Sequence, residues 1–137
     1  MLSEEAEDAA TKPPAPEKSD AGVYVAVFPS YSRNDVKIVE RIEKAVLSLG
    51  FGYLRDVMTL RSGQVWREEL LKKIEEADVF QLFWSEKSKA SQYVRMEWEH
   101  ALGLNRAQFV RPVFWETPMP QPPDELGQLH FASIDLA

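Results

Sequence analysis

The segment SQYVRMEWEH, residues 91–100, places a tyrosine, a tryptophan, a histidine, an arginine and two glutamates in ten positions, just before the apolar ALGL. Two carboxylates so close in sequence raise the chemistry of an acid–base pair. Helical geometry argues against it: Glu97 and Glu99 diverge by about 200° around a helix axis, so no more than one points into a given cleft. Val94, Trp98 and Ala101, at i, i+4 and i+7, form the core-facing stripe, supported by Leu102. Tyr93, Glu97, His100 and Leu104 lie on a neighbouring stripe, rotated by about 100°. Arg95 and Glu99 turn further toward water, as an exposed ion pair worth a few tenths of a kcal/mol. Glu97, beside the core stripe and one turn from Tyr93, is the better candidate for chemistry, although spacing alone favours a solvated surface glutamate.

Other reactive types gather at the ends of apolar runs. VYVAVF, 23–28, has the six apolar residues of a strand buried on both faces. PSYSRND follows, and its Ser32 or Asn34 is a helix cap as readily as a ligand. Val39, Ile42, Val46 and Leu49 then recur at helical spacing until Gly50 stops the helix. FGYLRD, 51–56, reads as a second strand ending in Asp56, a turn residue or a ligand. A polar loop with Gly63 as hinge precedes a helix in which Trp66, Leu70, Ile74 and Ala77 face a sheet. DVFQLFW, 78–84, reads as a central strand, and Ser85 begins the helix that carries SQYVRMEWEH. FVRPVFW, 109–115, is a fourth strand in which Pro112 signals an edge or a bulge. One helical turn starting at Pro123 and a short strand, FASIDL, 131–136, complete the pattern.

Alternating strands and helices call for a parallel sheet with helices on both faces and right-handed crossovers. Ligands in such sheets sit outside the carboxyl ends of the strands, which singles out the residues after Phe28, Asp56, Trp84 and Trp115.

The bulk properties fit one compact unit. The chain has 137 residues, 45% of them hydrophobic, with four Trp, seven Phe and four Tyr. Residues 1–22 differ: six carboxylates against Lys12 and Lys18 give −4 of the net −6, with three prolines and no apolar residue larger than Ala beyond Met1 and Leu2. This composition predicts a disordered acidic tail or linker. It leaves residues 23–137 as the domain, tethered to something else. The absence of Cys rules out disulfides, Cys-ligated zinc and a thiol nucleophile. Negative charge argues against nucleic acid as direct partner. With no apolar run near ~18 residues and no secretion signal, the expectation is a cytoplasmic protein without a membrane partner.

In this order and spacing, VFPSYSRND, LRDVMTLRSGQVWREEL, ADVFQLFWSEKS and SQYVRMEWEHALG resemble a bacterial Toll/interleukin-1 receptor (TIR) domain over about 23–136. The resemblance implies a flavodoxin-like three-layer α/β sandwich on a five-stranded parallel sheet. It also implies cleavage of NAD, as substrate rather than cofactor, between nicotinamide and ribose. The family's catalytic glutamate lies four residues after an aromatic, which here selects Tyr93 and Glu97. Glu97 would hold the ribose hydroxyls and stabilise the ribosyl cation, and Tyr93 would wall the site. Ser30, Tyr31, Ser32 and Arg33 would line the cleft, Asp56 would stand at its rim, and Arg33 and Arg61 would meet the diphosphate. Residues 57–65 would act as a lid. No metal is implied. Partners would be other TIR domains, through self-association, and a fused sensor or regulatory module in defence or signalling.

Three features depart from the family pattern. Pro29 replaces an aliphatic residue before the serine, in the loop that meets nicotinamide. Tyr93 replaces the usual Trp, keeping a stacking face but adding a hydroxyl able to redirect the product, for instance toward cyclised ADP-ribose. The family's last helix is missing, which would leave one sheet face partly bare. A non-catalytic scaffold recruiting other TIR domains is the alternative, though it has no chemical need for a carboxylate beneath an aromatic. A nucleoside deoxyribosyltransferase-like enzyme fits the first-strand and loop motifs less well. A phospho-receiver domain fits worse, since it needs acidic residues where PSYSRN and Ser85 stand.

Overall fold

The computed structural model describes residues 25–54 and 65–135, with Val65 and Trp66 described only as backbone. The tail over 1–22, the lid over 57–65 apart from the backbone of Val65, the Trp66 anchor, and the candidates Asp56 and Arg61 fall outside this description.

Five parallel strands form one sheet in the order β2-β1-β3-β4-β5. They are β1 (Ala26–Ser30), β2 (Gly52–Tyr53), β3 (Val79–Trp84), β4 (Val110–Phe114) and β5 (Ala132–Ser133). Between them run α1 (Val36–Ser48), α2 (Val65–Glu76), α3 (Glu86–Lys89) and α4 (Gln92–Gly103). The chain winds outward from β1 to β2 and then returns to β3 on the other side of β1. That reversal opens a crevice at the carboxyl ends of β1 and β3.

Alternation of side chains along each strand separates two cores. Phe28, Phe80, Leu82 and Trp84 point to the face covered by α2 and α4, where Leu70, Ile74, Val94, Trp98 and Ala101 meet them, all buried. The stacked rings of Phe28 and Phe80, 5.6 Å apart, lie at its centre. On the opposite face Tyr31 and Phe83 pack against Val39 of α1. Gln81, the one polar residue inside β3, lies on this second face and accepts a hydrogen bond from Tyr53 Oη at 2.8 Å, joining β3 to β2 across β1.

Several boundaries differ from the sequence expectation, each for a local reason. The first strand is shifted toward its carboxyl end, so that Pro29 and Ser30 belong to β1 and pair with Gln81 and Leu82. Pro29 is tolerated because the last bond of the ladder to β2 is Leu54 N–H to Val27 C=O. The next bond would need a donor at residue 29, which proline lacks. Pro112 is likewise not on an edge strand, since β4 lies between β3 and β5. Its missing donor faces the β5 side, where pairing begins only at Val113 and Ala132.

Leu49 is 70% exposed rather than core-facing, because α1 ends at Ser48 and the helical stripe lapses there. Gly50 then reverses the chain at φ 89°, a region open to glycine. Finally, Ser85 opens only the four-residue α3. Ser91 starts α4 afresh, its hydroxyl accepting from Val94 N–H at 3.1 Å. A serine side chain that can cap competes with continuation of the helix, and here capping wins.

Candidate active site

Ser30 ends β1 two residues after Phe28, so strand alternation aims it at the face that α4 covers. Glu97 reaches the same place from α4. Ser30 Oγ donates to Glu97 Oε1 at 2.6 Å, and both residues are wholly inaccessible. The separation is short, as expected when a hydroxyl meets a carboxylate. The stripe geometry placed Glu97 beside the core; the sheet closes over it, so it is a buried carboxylate and not a solvated one.

The loop that follows Ser30 and the α3–α4 junction, which leads to Tyr93 one helical turn before Glu97, border a cleft of about 370 Å³. Tyr31, Ser32, Arg33 and Asn34 form one wall, and Lys87, Ala90, Ser91 and Tyr93 the other. Arg33 is exposed to this space, and Tyr93 is half-buried, with one side on the core. Tyr31 contributes only its rim: it is 4% exposed and meets Phe83 edge-on at 6.3 Å, so packing is its main duty. Ser32 acts as a cap, its hydroxyl accepting from Asn34 N–H at 3.2 Å at the start of a 3-10 turn. Ser30 is wholly buried and does not line the cleft.

The remaining chemistry-bearing residues of α4 are surface groups. Arg95 pairs with Glu99 at 2.9 Å and with Glu125 at 3.2 Å, all about half exposed. His100 contacts Glu75 of α2 at 2.9 Å. Trp98, 2% exposed, is structural. Among the described residues no cluster of His, Cys, Asp or Glu could hold a metal ion, and no helix is long and apolar enough to cross a membrane.

Sequence reasoning missed Lys87, Ser91 and Asp35. Asp35 is buried and accepts from Ser85 Oγ at 2.6 Å, tying the turn after β1 to the turn after β3. Ser85 and Ser88 form a reciprocal capping box at α3, with bonds of 3.1 and 2.8 Å. Glu116 after β4 accepts from Glu86 N–H at 2.9 Å. Desolvation raises the Asp35 pKa above its ordinary value; the Ser85 hydrogen bond opposes this, nearby Glu116 adds to it and Lys87 opposes it. The available signal was SRND itself, where an aspartate beside two cap residues had no separate duty.

A parallel α/β sheet with a cleft at its winding reversal defines a broad class of ligand-binding domains. Within that class the family is specific: a model described as TIR domain matches residues 27–137, and the chain belongs to the TIR domain family. Among solved structures, the chain is similar to the TIR domain of the Toll-related receptor TRR-2 from the lower metazoan Hydra magnipapillata. The TM-score is 0.65, with 12% identity over 78% of this chain and 82% of that one, a likeness of fold. No curated protein matches the chain in sequence.

Proposed function

We propose that this TIR domain consumes NAD, breaking the bond between nicotinamide and ribose, with Glu97 as the catalytic carboxylate. One observation carries the reading: a carboxylate held by Ser30 in a desolvated position, one helical turn from the Tyr93 side chain that walls the cleft. Burying an ionisable group is costly, and its use at a reacting centre is a reason to retain it.

When the C1–N bond breaks, its electron pair leaves with neutral nicotinamide and positive charge develops on the ribose. A preorganised carboxylate stabilises that charge most effectively where water is excluded. Ser30 fixes the orientation of Glu97, Tyr93 offers a ring face to the leaving group or ribose, and Arg33 meets the diphosphate. Water attacking C1 gives ADP-ribose; attack by the adenine gives a cyclic product. Since Glu97 is fully covered, ribose reaches it only when the residues above it move. Self-association with other TIR domains, driven by a fused sensor in a signalling or defence protein, supplies a cause for that movement.

The second reading, a non-catalytic scaffold for TIR–TIR contacts, draws on the same burial: Glu97 and Ser30 would be a pin between α4 and β1. The test is nicotinamide release by artificially clustered protein, wild type beside Glu97→Gln. Release lost in a folded variant supports catalysis, whereas a silent clustered wild type supports the scaffold.

A further inference from the structure

The cleft carries two cations on different elements, Arg33 after β1 and Lys87 in α3, and no carboxylate in its lining. Neither forms an ion pair among the described residues, whereas Arg95 is held by Glu99 and Glu125. β1 and β3 are neighbours in the sheet, so the two side chains flank one opening rather than separate surfaces.

The root of Lys87 is fixed more firmly than a four-residue helix would ordinarily allow. The Ser85–Ser88 capping box closes its first turn, the Asp35 carboxylate accepts a hydrogen bond from the Ser85 hydroxyl, and the Glu116 side chain accepts one from the Glu86 amide. Ser85 and Ser88 are almost inaccessible and Asp35 is 8% exposed. A buried polar network of this kind confers a defined position on what it carries. What it carries into the cleft is Lys87.

We propose that Lys87 is a binding residue for the diphosphate of a dinucleotide, acting with Arg33, and that the Asp35–Ser85 bond positions it. This rests on the NAD-cleaving reading of the same site and adds to it a selectivity for diphosphate-bearing ligands over nucleosides. A lysine suits the task as a mobile point charge, while arginine adds a planar fork of donors.

The test titrates ADP-ribose into the full chain and its variants at low and high salt. Lys87→Gln should weaken binding about tenfold and flatten its salt dependence, since one screened attraction is removed. Lys87→Arg should retain most of the affinity. Lys89→Gln makes the same charge change on the opposite side of α3, where Lys89 lies near Trp84 and Trp98, and should bind as wild type does. Affinity in Lys87→Gln within twofold of wild type, an equal loss in Lys89→Gln, or no ADP-ribose binding by wild type would overturn the assignment. Nicotinamide release is read separately. Release with ADP-ribose affinity insensitive to Lys87 removes this proposal and keeps the enzyme; Lys87-dependent binding without release does the reverse.

Discussion

Ser30 and Glu97 place a hydroxyl against a carboxylate where neither reaches water. Ser30→Ala removes that donor from a buried carboxyl group and should cost about 1–3 kcal/mol, measured by urea denaturation. A change within a few tenths would mean that the bond is incidental. Asp35 gives a second test, with a sign. Its folded pKa lies above the ordinary value of 3.8, chiefly through desolvation. The folded protein therefore holds this proton more tightly than the unfolded chain. The favourable contribution is complete below 3.8 and is lost as pH rises through the folded value. Asp35→Asn removes the desolvated charge, so it should raise the melting temperature at pH 7, with the gain shrinking as pH falls toward 3.8. A gain that does not vary with pH would contradict the desolvation argument.

The elements that present these residues begin at side-chain caps. Ser91→Ala removes the α4 cap and should cost about 1 kcal/mol. Ser85→Ala should cost more in the same denaturation assay, because it breaks the capping box and also removes the donor to Asp35. Equal losses would show that the Asp35 bond contributes nothing. At this scale the sequence was informative wherever periodicity ran long: Leu70 and Ile74 of α2, Ala77 just after it, and Val94, Trp98 and Ala101 of α4 all face the core as their spacing required. It misled where one residue type had two uses. Pro29 read as a turn because proline ends most ladders, yet here its missing donor faces the side on which the ladder with β2 has ended. Ser91 read as helix interior because apolar spacing cannot register a cap. The helical stripe set Glu97 nearer the core than Glu99, as the two burials show, but its complete burial depended on the aim of Ser30, a tertiary matter. Lys87 had no sequence signal beyond its place in the turn after β3.

The whole molecule joins these parts through its topology: winding outward to β2 and back to β3 puts the loop after β1, α3 and the start of α4 around one cleft, with Tyr93 in its wall one helical turn before Glu97. That architecture and the family are shared by enzymes and scaffolds alike, so the distinction lies in whether Glu97 acts on a ligand. If self-association uncovers the site, specific activity should rise with protein concentration or on beads that cluster the chain; activity strictly proportional to concentration would place the active unit in the single chain. The most direct test of the central claim is nicotinamide release from NAD by the clustered chain, wild type against a Glu97→Gln variant whose melting curve shows that it folds. Wild type should release nicotinamide, and the variant should lose at least a hundredfold of that rate. Release that survives in Glu97→Gln would contradict the assignment of the catalytic residue, and its absence from clustered wild type would contradict the enzymatic reading itself.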